Sequence, residues 1–188
     1  MKTRSLLVIG IVALLCASGL KAQTTSQPLY ASVSVGYAIP SWSNVDGGYG
    51  IGAAFGTVIK NHHYVELEAI YLKHDLNNLF PGESGNFTSI PVLATYRYAI
   101  LFGNSGWSLQ LGGSAGFASQ KVKFSYRGSS DSTSKTVLAL AGQALVVYKI
   151  NDKFSAHAGV KAIWTDKMSS DDNSGTDTMP VVGASFHF

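Results

Sequence analysis

The residues of this sequence that could do chemistry are spaced two apart. Glu66 and Glu68 stand in VELEAIY, and Ser155 and His157 stand in FSAHAGV. A serine beside a histidine suggests a nucleophile with its general base, and carboxylates on one strand face can pair with cations from neighbouring strands. Residues two apart point to the same face of a β-strand, so each pair would act from one face.

The catalytic interpretation of Ser155 and His157 lacks a third member. Their triplet matches no hydrolase motif that we can place, and we find no acid positioned in sequence to complete a triad. The His-His pair at 62–63 and the His-Asp pair at 74–75 contain metal-ligand residue types. Adjacent strand residues point to opposite faces, however, which disfavours chelation. We therefore predict no catalytic residue, no metal site and no cofactor.

The elements that must position these side chains read as β-strands. The chain shows apolar and polar residues in alternation between turn-rich stretches, with no sustained helical period. The alternating segments cover 29–38, 49–59, 64–74, 87–100, 107–124, 136–149, 154–166 and 179–188. Short connections at 60–63, 101–106 and 150–153 alternate with longer polar ones at 39–48, 75–86, 127–135 and 167–178. This alternation indicates an up-and-down barrel with one plain end and one decorated end.

The composition of the two strand faces indicates which of them meets water. Within 107–117, one face carries large apolar residues and the other carries only Ser, Gln and Gly. A small polar face cannot form a dense apolar core, but it can line a narrow barrel whose apolar face meets lipid. Strands of about 10 residues suit a tilted bilayer crossing. We predict an all-β fold, a closed eight-stranded antiparallel up-and-down transmembrane β-barrel; a soluble barrel or sandwich is the alternative.

Aromatic residues should mark the two edges of the bilayer, since amphipathic rings prefer the interface. The alternative is scatter by β-propensity. The short-turn end collects Tyr64, Tyr96, Tyr98, Phe102, Trp107, Tyr148, Phe154, Phe186 and Phe188. The long-loop end collects Tyr37, Trp42, Tyr49, Tyr71, Phe87, Phe117, Tyr126 and Trp164.

The beginning of the chain predicts export. Residues 1–22 combine a basic start, an apolar run and a terminal Ala22, which is typical of a cleaved signal peptide. A membrane anchor and a lipoprotein site at Cys16 are the alternatives. The predicted mature domain, 23–188, has 11 basic and 11 acidic residues and no cysteine. We expect no nucleic-acid partner, no disulfide and no thiol catalysis.

Four charged residues should lie inside the barrel. Glu66 and Glu68 alternate with apolar residues in the third segment, as Arg97 does in the fourth. Lys161 comes from the seventh segment, across an eight-stranded barrel from the third. We predict an internal ionic network that plugs the lumen, with a gate as the alternative reading.

The end of the chain, VVGASFHF, resembles the C-terminal strand of small outer-membrane barrels of the OmpA/OmpX type. The stretch TSIPVLATYRYAI (88–100) is similar to a strand of the outer-membrane β-barrel domain common in Bacteroidetes. The resemblance implies location in the cell outer membrane and contact with its lipid. It also implies that Phe186 and Phe188 form a signal read by the barrel-assembly machinery.

Three functions remain open at this point. The first is a structural or surface-interaction barrel that meets an extracellular ligand through its loops, which we favour and expect to be a monomer. The second is a narrow channel for small solutes, although eight strands leave an interior just filled by side chains. The third is a lipid-modifying barrel enzyme; we expect no enzyme.

Overall fold

The structure, a computed structural model, describes residues 29–42, 45–76, 83–103, 105–126, 129–166 and 175–188. The predicted signal segment, 1–22, lies outside the described residues. No helix in the described part is long and apolar enough to cross a membrane. The strands are β1 (Leu29–Pro40), β2 (Gly48–Ile59), β3 (His63–Asp75), β4 (Glu83–Leu101), β5 (Trp107–Tyr126), β6 (Ser129–Lys149), β7 (Phe154–Thr165) and β8 (Gly175–His187).

The strands form one closed antiparallel barrel in chain order, which confirms the predicted fold class. Closure is made by β1 and β8, where Tyr30 pairs with His187. Beyond the last paired residue, the Phe188 amide donates a 2.9 Å hydrogen bond to the Leu29 carbonyl. The terminal strand therefore closes against the first, and the barrel has no free edge through its wall.

Side chains alternate between the lumen and the outer surface as the period of two requires. On the outer face, Val33 and Phe117 are 62% and 64% exposed. On the inner face, Ile70 and Leu93 are fully buried. The apolar side chains of the outer face have no protein partner to bury them, as expected of a wall that faces lipid.

Tight turns close the short-turn end. Lys60 and Asn61 have φ values of 51° and 61°, the left-handed pair of a type I′ turn between β2 and β3. Gly103 and Gly106 carry the positive φ values of 59° and 75° that the β4–β5 connection requires.

Three strands are much longer than the rest. β4, β5 and β6 have 19, 20 and 21 residues, whereas β1 has 12. The extra length of β5 and β6 lies mainly at the long-loop end, where Phe124 pairs with Asp131. β4 extends past β3 by three residues at each end. The predicted loop at 127–135 is therefore wrong in extent, since β6 already begins at Ser129. Serine and threonine resemble loop residues in composition, yet here they continue a hairpin beyond the barrel wall.

The interior differs from the small polar lining that the sequence predicts. Large apolar side chains fill much of the lumen, from the level of the acidic residues toward the long-loop end, namely Ile70, Leu72, Leu93, Leu145, Ile163 and Met179. The segments rich in Gly and Ser supply the opposite wall. A Cβ added at Gly50 would lie 2.9 Å from Leu72 Cδ2 and would also meet the Met179 sulfur. Small residues on β2 thus make room for large ones from β3 and β8.

Two predicted girdle aromatics face the lumen instead of lipid. Phe87 is 5% exposed and packs edge-on against Trp42, with ring centroids 5.2 Å apart. Tyr64 lies with its ring centroid 5.5 Å from the Arg97 guanidinium. Both occupy inward positions of their strands, so end position alone did not identify a girdle residue.

Candidate functional site

The charged side chains of the lumen come from the inward positions of β3, β4 and β7. β3 and β4 are neighbours, with Tyr64 opposite Arg97 and Glu66 opposite Thr95. Glu66 and Arg97 are therefore diagonal neighbours on one face, within reach of long side chains.

Glu66, Arg97 and Tyr30 form one contact group. Arg97 Nη2 lies 2.7 Å from Glu66 Oε2 and also donates to the Tyr30 hydroxyl at 3.0 Å. The Tyr30 hydroxyl donates to the same carboxylate oxygen at 2.6 Å. All three side chains are buried, so the ion pair is held in a low-dielectric environment with its hydrogen bonds shared. Tyr30, from β1, is a member that the sequence analysis missed, because no long-range register links β1 to β4.

Glu68 and Lys161 form the second ion pair, which crosses the lumen from β3 to β7. Both side chains are buried. The absence of a side chain at Gly52 leaves room for this crossing, since a Cβ there would lie 2.7 Å from Ser34 Oγ and 3.5 Å from Glu68 Oε1. The structure thus brings all four predicted lumen residues to one level, as two separate acid–base pairs.

A small cavity of about 10 Å³ lies between the two ion pairs. Its lining includes both pairs together with Gln143 and His157. Three buried atoms at this level, Glu68 Oε2, Arg97 Nε and Gln143 Nε2, have no hydrogen-bond partner among the described residues. The volume is that of about one water molecule.

A larger vestibule of about 550 Å³ opens below the ion pairs at the short-turn end. Tyr30, Tyr64, Ser155 and His187 contribute to its wall. Arg97 and His157 line both the vestibule and the small cavity. These last two side chains therefore form the partition between the two spaces.

At the long-loop end, a third buried acid–base contact lies above the apolar layer. His74 Nε2 is 3.4 Å from Asp177 Oδ1, and His74 Nδ1 is 3.1 Å from the Asp46 carbonyl oxygen. Sequence analysis considered Asp75 as the neighbour of His74 and missed Asp177. In the sequence, Asp177 could have been recognised only by its inward position in β8. The predicted eighth segment began at 179, so it did not include this residue.

Ser155 contacts a different histidine from the one that the sequence suggested. Ser155 Oγ lies 3.1 Å from His187 Nε2, across the β7–β8 pair. His62 and His63 also contact different partners. His62 Nδ1 contacts the Ala99 carbonyl oxygen, and His63 Nδ1 contacts the Tyr96 hydroxyl. No group of three or more potential metal ligands occurs among the residues that the structure describes.

One exposed ion pair lies outside the wall, in the β6–β7 turn. Lys149 Nζ is 2.7 Å from Asp152 Oδ1. This hydrogen bond, with the attraction of the lysine charge, holds the pKa of the Asp152 carboxyl below its usual value.

A closed eight-stranded barrel with an apolar outer wall defines the class of membrane-spanning β-barrels. The chain belongs to the family described as "Outer membrane protein beta-barrel domain", which matches residues 9–188. It is therefore an outer-membrane β-barrel protein, as the terminal strand predicted. A comparison with curated protein sequences finds no match.

Solved structures with similar folds are small outer-membrane barrels. Neisserial surface protein A has a TM-score of 0.63 at 16% identity, over 85% of this chain and 97% of that one. The attachment invasion locus protein Ail of Yersinia pestis has a TM-score of 0.60 at 19% identity, over 86% of this chain and 99% of that one. OprG from Pseudomonas aeruginosa has a TM-score of 0.54 at 17% identity, over 86% and 96%. Likenesses at this level of identity concern the fold.

Proposed function

We propose that this barrel presents a polar β-sheet at the cell surface to an extracellular ligand, while ion pairs plug its lumen. The observation that carries the surface role is the extension of β4, β5 and β6 beyond the wall at the long-loop end. We propose that the long-loop end of the barrel faces the outside of the cell and that the short-turn end faces the periplasm.

The extended part of β6 has one paired side and one side without a strand partner in the described part of the chain. β5 pairs with β6 along the whole hairpin, from Tyr126 opposite Ser129 onward. On the other side, pairing with β7 reaches only Ala139, followed by a hydrogen bond from the Asp166 amide to the Leu138 carbonyl. We propose that the backbone over 131–137 accepts an extended segment of a partner chain. Its sequence, DSTSKTV, is polar enough to discourage indiscriminate edge pairing.

The fold relatives are compatible with a surface role. Ail, named as an attachment invasion locus protein, has also been solved with the heparin analogue sucrose octasulfate. We infer that a surface ligand of this chain would likewise meet the long-loop end. We propose no enzymatic activity: Ser155 contacts a histidine, and within the described ranges no third catalytic group is found among its contacts.

The plug is supported by charge pairing and by the small free volume at its level. Glu66 with Arg97, and Glu68 with Lys161, leave no net charge across the narrow part of the lumen. The cavity of about 10 Å³ between them is too small for a continuous water column. A narrow channel is the second candidate, favoured by the vestibule that opens on one side of the plug.

Assembly is the proposed role of the terminal aromatics. Phe186 and Phe188 pack edge-to-face, with ring centroids 5.1 Å apart, and Phe188 is 70% exposed. Phe186 is half-buried. We propose that these two residues of the closing strand are read by the barrel-assembly machinery. We propose that the barrel then acts as a monomer.

The surface role is tested by shortening the hairpin. We would replace residues 119–136 with Asn-Gly, so that Ala118 and Val137 flank a two-residue turn and the edge over 131–136 is removed. Cells that display the wild type should be retained on surfaces coated with extracellular-matrix protein or sulfated polysaccharide, and cells with the short hairpin should not. Heat-modifiable mobility confirms that the shortened barrel is folded. Equal retention of the two strains would contradict the surface role.

A further inference from the structure

Three lysines form a cluster on the outer face of the barrel at the long-loop end. Lys73 on β3 and Lys121 on β5 both pair with Thr88 of β4, so they occupy one cross-strand row. Lys123 lies two residues further along β5, on the same face and in the next row. By strand geometry the Cα atoms of Lys73 and Lys121 are about 10 Å apart, and those of Lys121 and Lys123 about 7 Å apart.

The row of lysines adjoins the apolar part of the wall. Tyr49 pairs with Lys73 within the same row, and Tyr71, two residues from Lys73 on β3, faces outward in the row below. Below Lys121 on the same face, Phe117 is 64% exposed. Interfacial aromatics mark the level of lipid headgroups. The ammonium groups therefore lie at or just beyond the headgroup level.

The charge of this cluster is not balanced by the described neighbours. None of the ion pairs found in the described part of the chain involves Lys73, Lys121 or Lys123. Asp75 lies on the same face, two residues from Lys73 on β3 and in the same cross-strand row as Lys123, so it offsets one of the three charges. The three lysines outnumber it, and the cluster retains a net positive charge beside an apolar wall.

We propose that Lys73, Lys121 and Lys123 bind the phosphate of a lipid headgroup in the leaflet at the long-loop end, where an outer membrane holds lipid A. Lysine is a point-charge ligand for phosphate, and its flexible stem lets three ammonium groups converge on one anion. The apolar side chains below would contact the acyl chains of the same lipid. A lipid is favoured over a soluble polyanion because the cluster faces sideways from the wall, directly above the lipid-contacting surface.

The experiment measures lipid binding to the full barrel in neutral detergent micelles by native mass spectrometry. The probes are phosphorylated lipid A and the same lipid A after phosphatase treatment. Each lysine near an anionic surface contributes about fivefold in affinity, so Lys121→Gln should weaken binding of phosphorylated lipid A about fivefold and the triple Lys→Gln variant on the order of a hundredfold. Dephosphorylated lipid A should bind wild type and triple variant equally.

Lys135→Gln is the matched control. Lys135 pairs with Gln120 and therefore projects from the opposite face of the same sheet, so its loss should leave lipid A binding unchanged. A triple variant that keeps the wild-type preference for phosphorylated lipid A would overturn the proposal. So would lysine-dependent binding of sucrose octasulfate without any lysine-dependent binding of lipid A, which would assign the cluster to a soluble polyanion. Lys121→Gln gives a readout even if the triple variant fails to fold.

Discussion

Arg97 forms an ion pair with Glu66 and also donates a hydrogen bond to the Tyr30 hydroxyl, so its loss affects two buried partners. We expect Arg97→Ala to lower the free energy of unfolding by about 3–5 kcal/mol, since it leaves the Glu66 carboxylate buried without its cation. Urea titration of the barrel in lipid vesicles, followed by tryptophan fluorescence, measures the change.

The double variant Glu66→Gln/Arg97→Ala separates pairing from packing, because position 97 is truncated as in the single variant. It leaves no unpaired charge at this contact, so it should be more stable than Arg97→Ala alone. A double variant as unstable as the single one would show that Arg97 contributes packing and not charge compensation.

Phe188 should matter to assembly more than to the finished barrel. Its ring is largely exposed, whereas its amide holds the closing hydrogen bond to Leu29 through the backbone. Phe188→Ala keeps that backbone bond, so we expect little change in the urea midpoint of refolded protein. The heat-modifiable fraction in the outer membrane of expressing cells should fall. If the amount of assembled Phe188→Ala equals that of the wild type, the proposed role of Phe188 in assembly is contradicted.

Sequence alternation placed the lumen charges on the correct face, because the period of two fixes inward and outward positions. It could not predict side-chain contacts between strands that are not consecutive in the chain. Glu66 meets Arg97 through the neighbouring strand, but Tyr30 reaches both from β1, and Ser155 meets His187 and not His157. Those contacts depend on the register of the closed barrel, which no local pattern encodes.

At the scale of the strand, lipid exposure of the outer face is testable with one charge. Val33 is 62% exposed in the middle of β1, opposite Ala53 and Ala184. Val33→Lys should lower the free energy of unfolding in vesicles by about 2–4 kcal/mol if that position is near the bilayer midplane.

Ser132→Lys is the control for this prediction, since Ser132 lies on the β6 extension beyond the wall. Its effect on the free energy of unfolding should stay within about 1 kcal/mol. Equal effects at the two positions would place the bilayer elsewhere on the barrel.

Sequence reasoning located all the strands but shortened the ends of several. It treated 127–135 as a loop because the stretch is rich in Gly, Ser and Asp, yet Lys123 pairs with Ser132 there. Polar composition reports exposure to water, which a protruding hairpin and a loop share. The extension therefore had no local signal that could distinguish it.

At the scale of the molecule, the orientation predicts which connections are accessible from outside. A protease site inserted between Tyr126 and Ser129, at the tip of the long hairpin, should be cleaved on intact cells. The same site inserted after Asp152, in the short β6–β7 turn, should be cleaved only after the outer membrane is permeabilised. Cleavage at Asp152 on intact cells would reverse the orientation.

The wall of the barrel could be predicted from the alternation of apolar and polar residues and from the lengths of the connections. The packing of apolar layers in its interior could not be predicted from those patterns. The apolar layer is built from Ile70, Leu93 and Met179 on three strands, against glycines such as Gly50 on another. A strand read alone does not show which residue of another strand its large inward side chains will meet, and that complementarity emerges when the barrel closes.

The plugged lumen is tested most directly by single-channel recording of the purified full barrel in a planar bilayer. With two ion pairs and a cavity of about 10 Å³ at the narrow level, the wild type should show no stable conductance. Arg97→Ala should show brief, small openings, because it removes part of the partition between cavity and vestibule. Large, stable conductance in the wild type would contradict the account and establish an open pore.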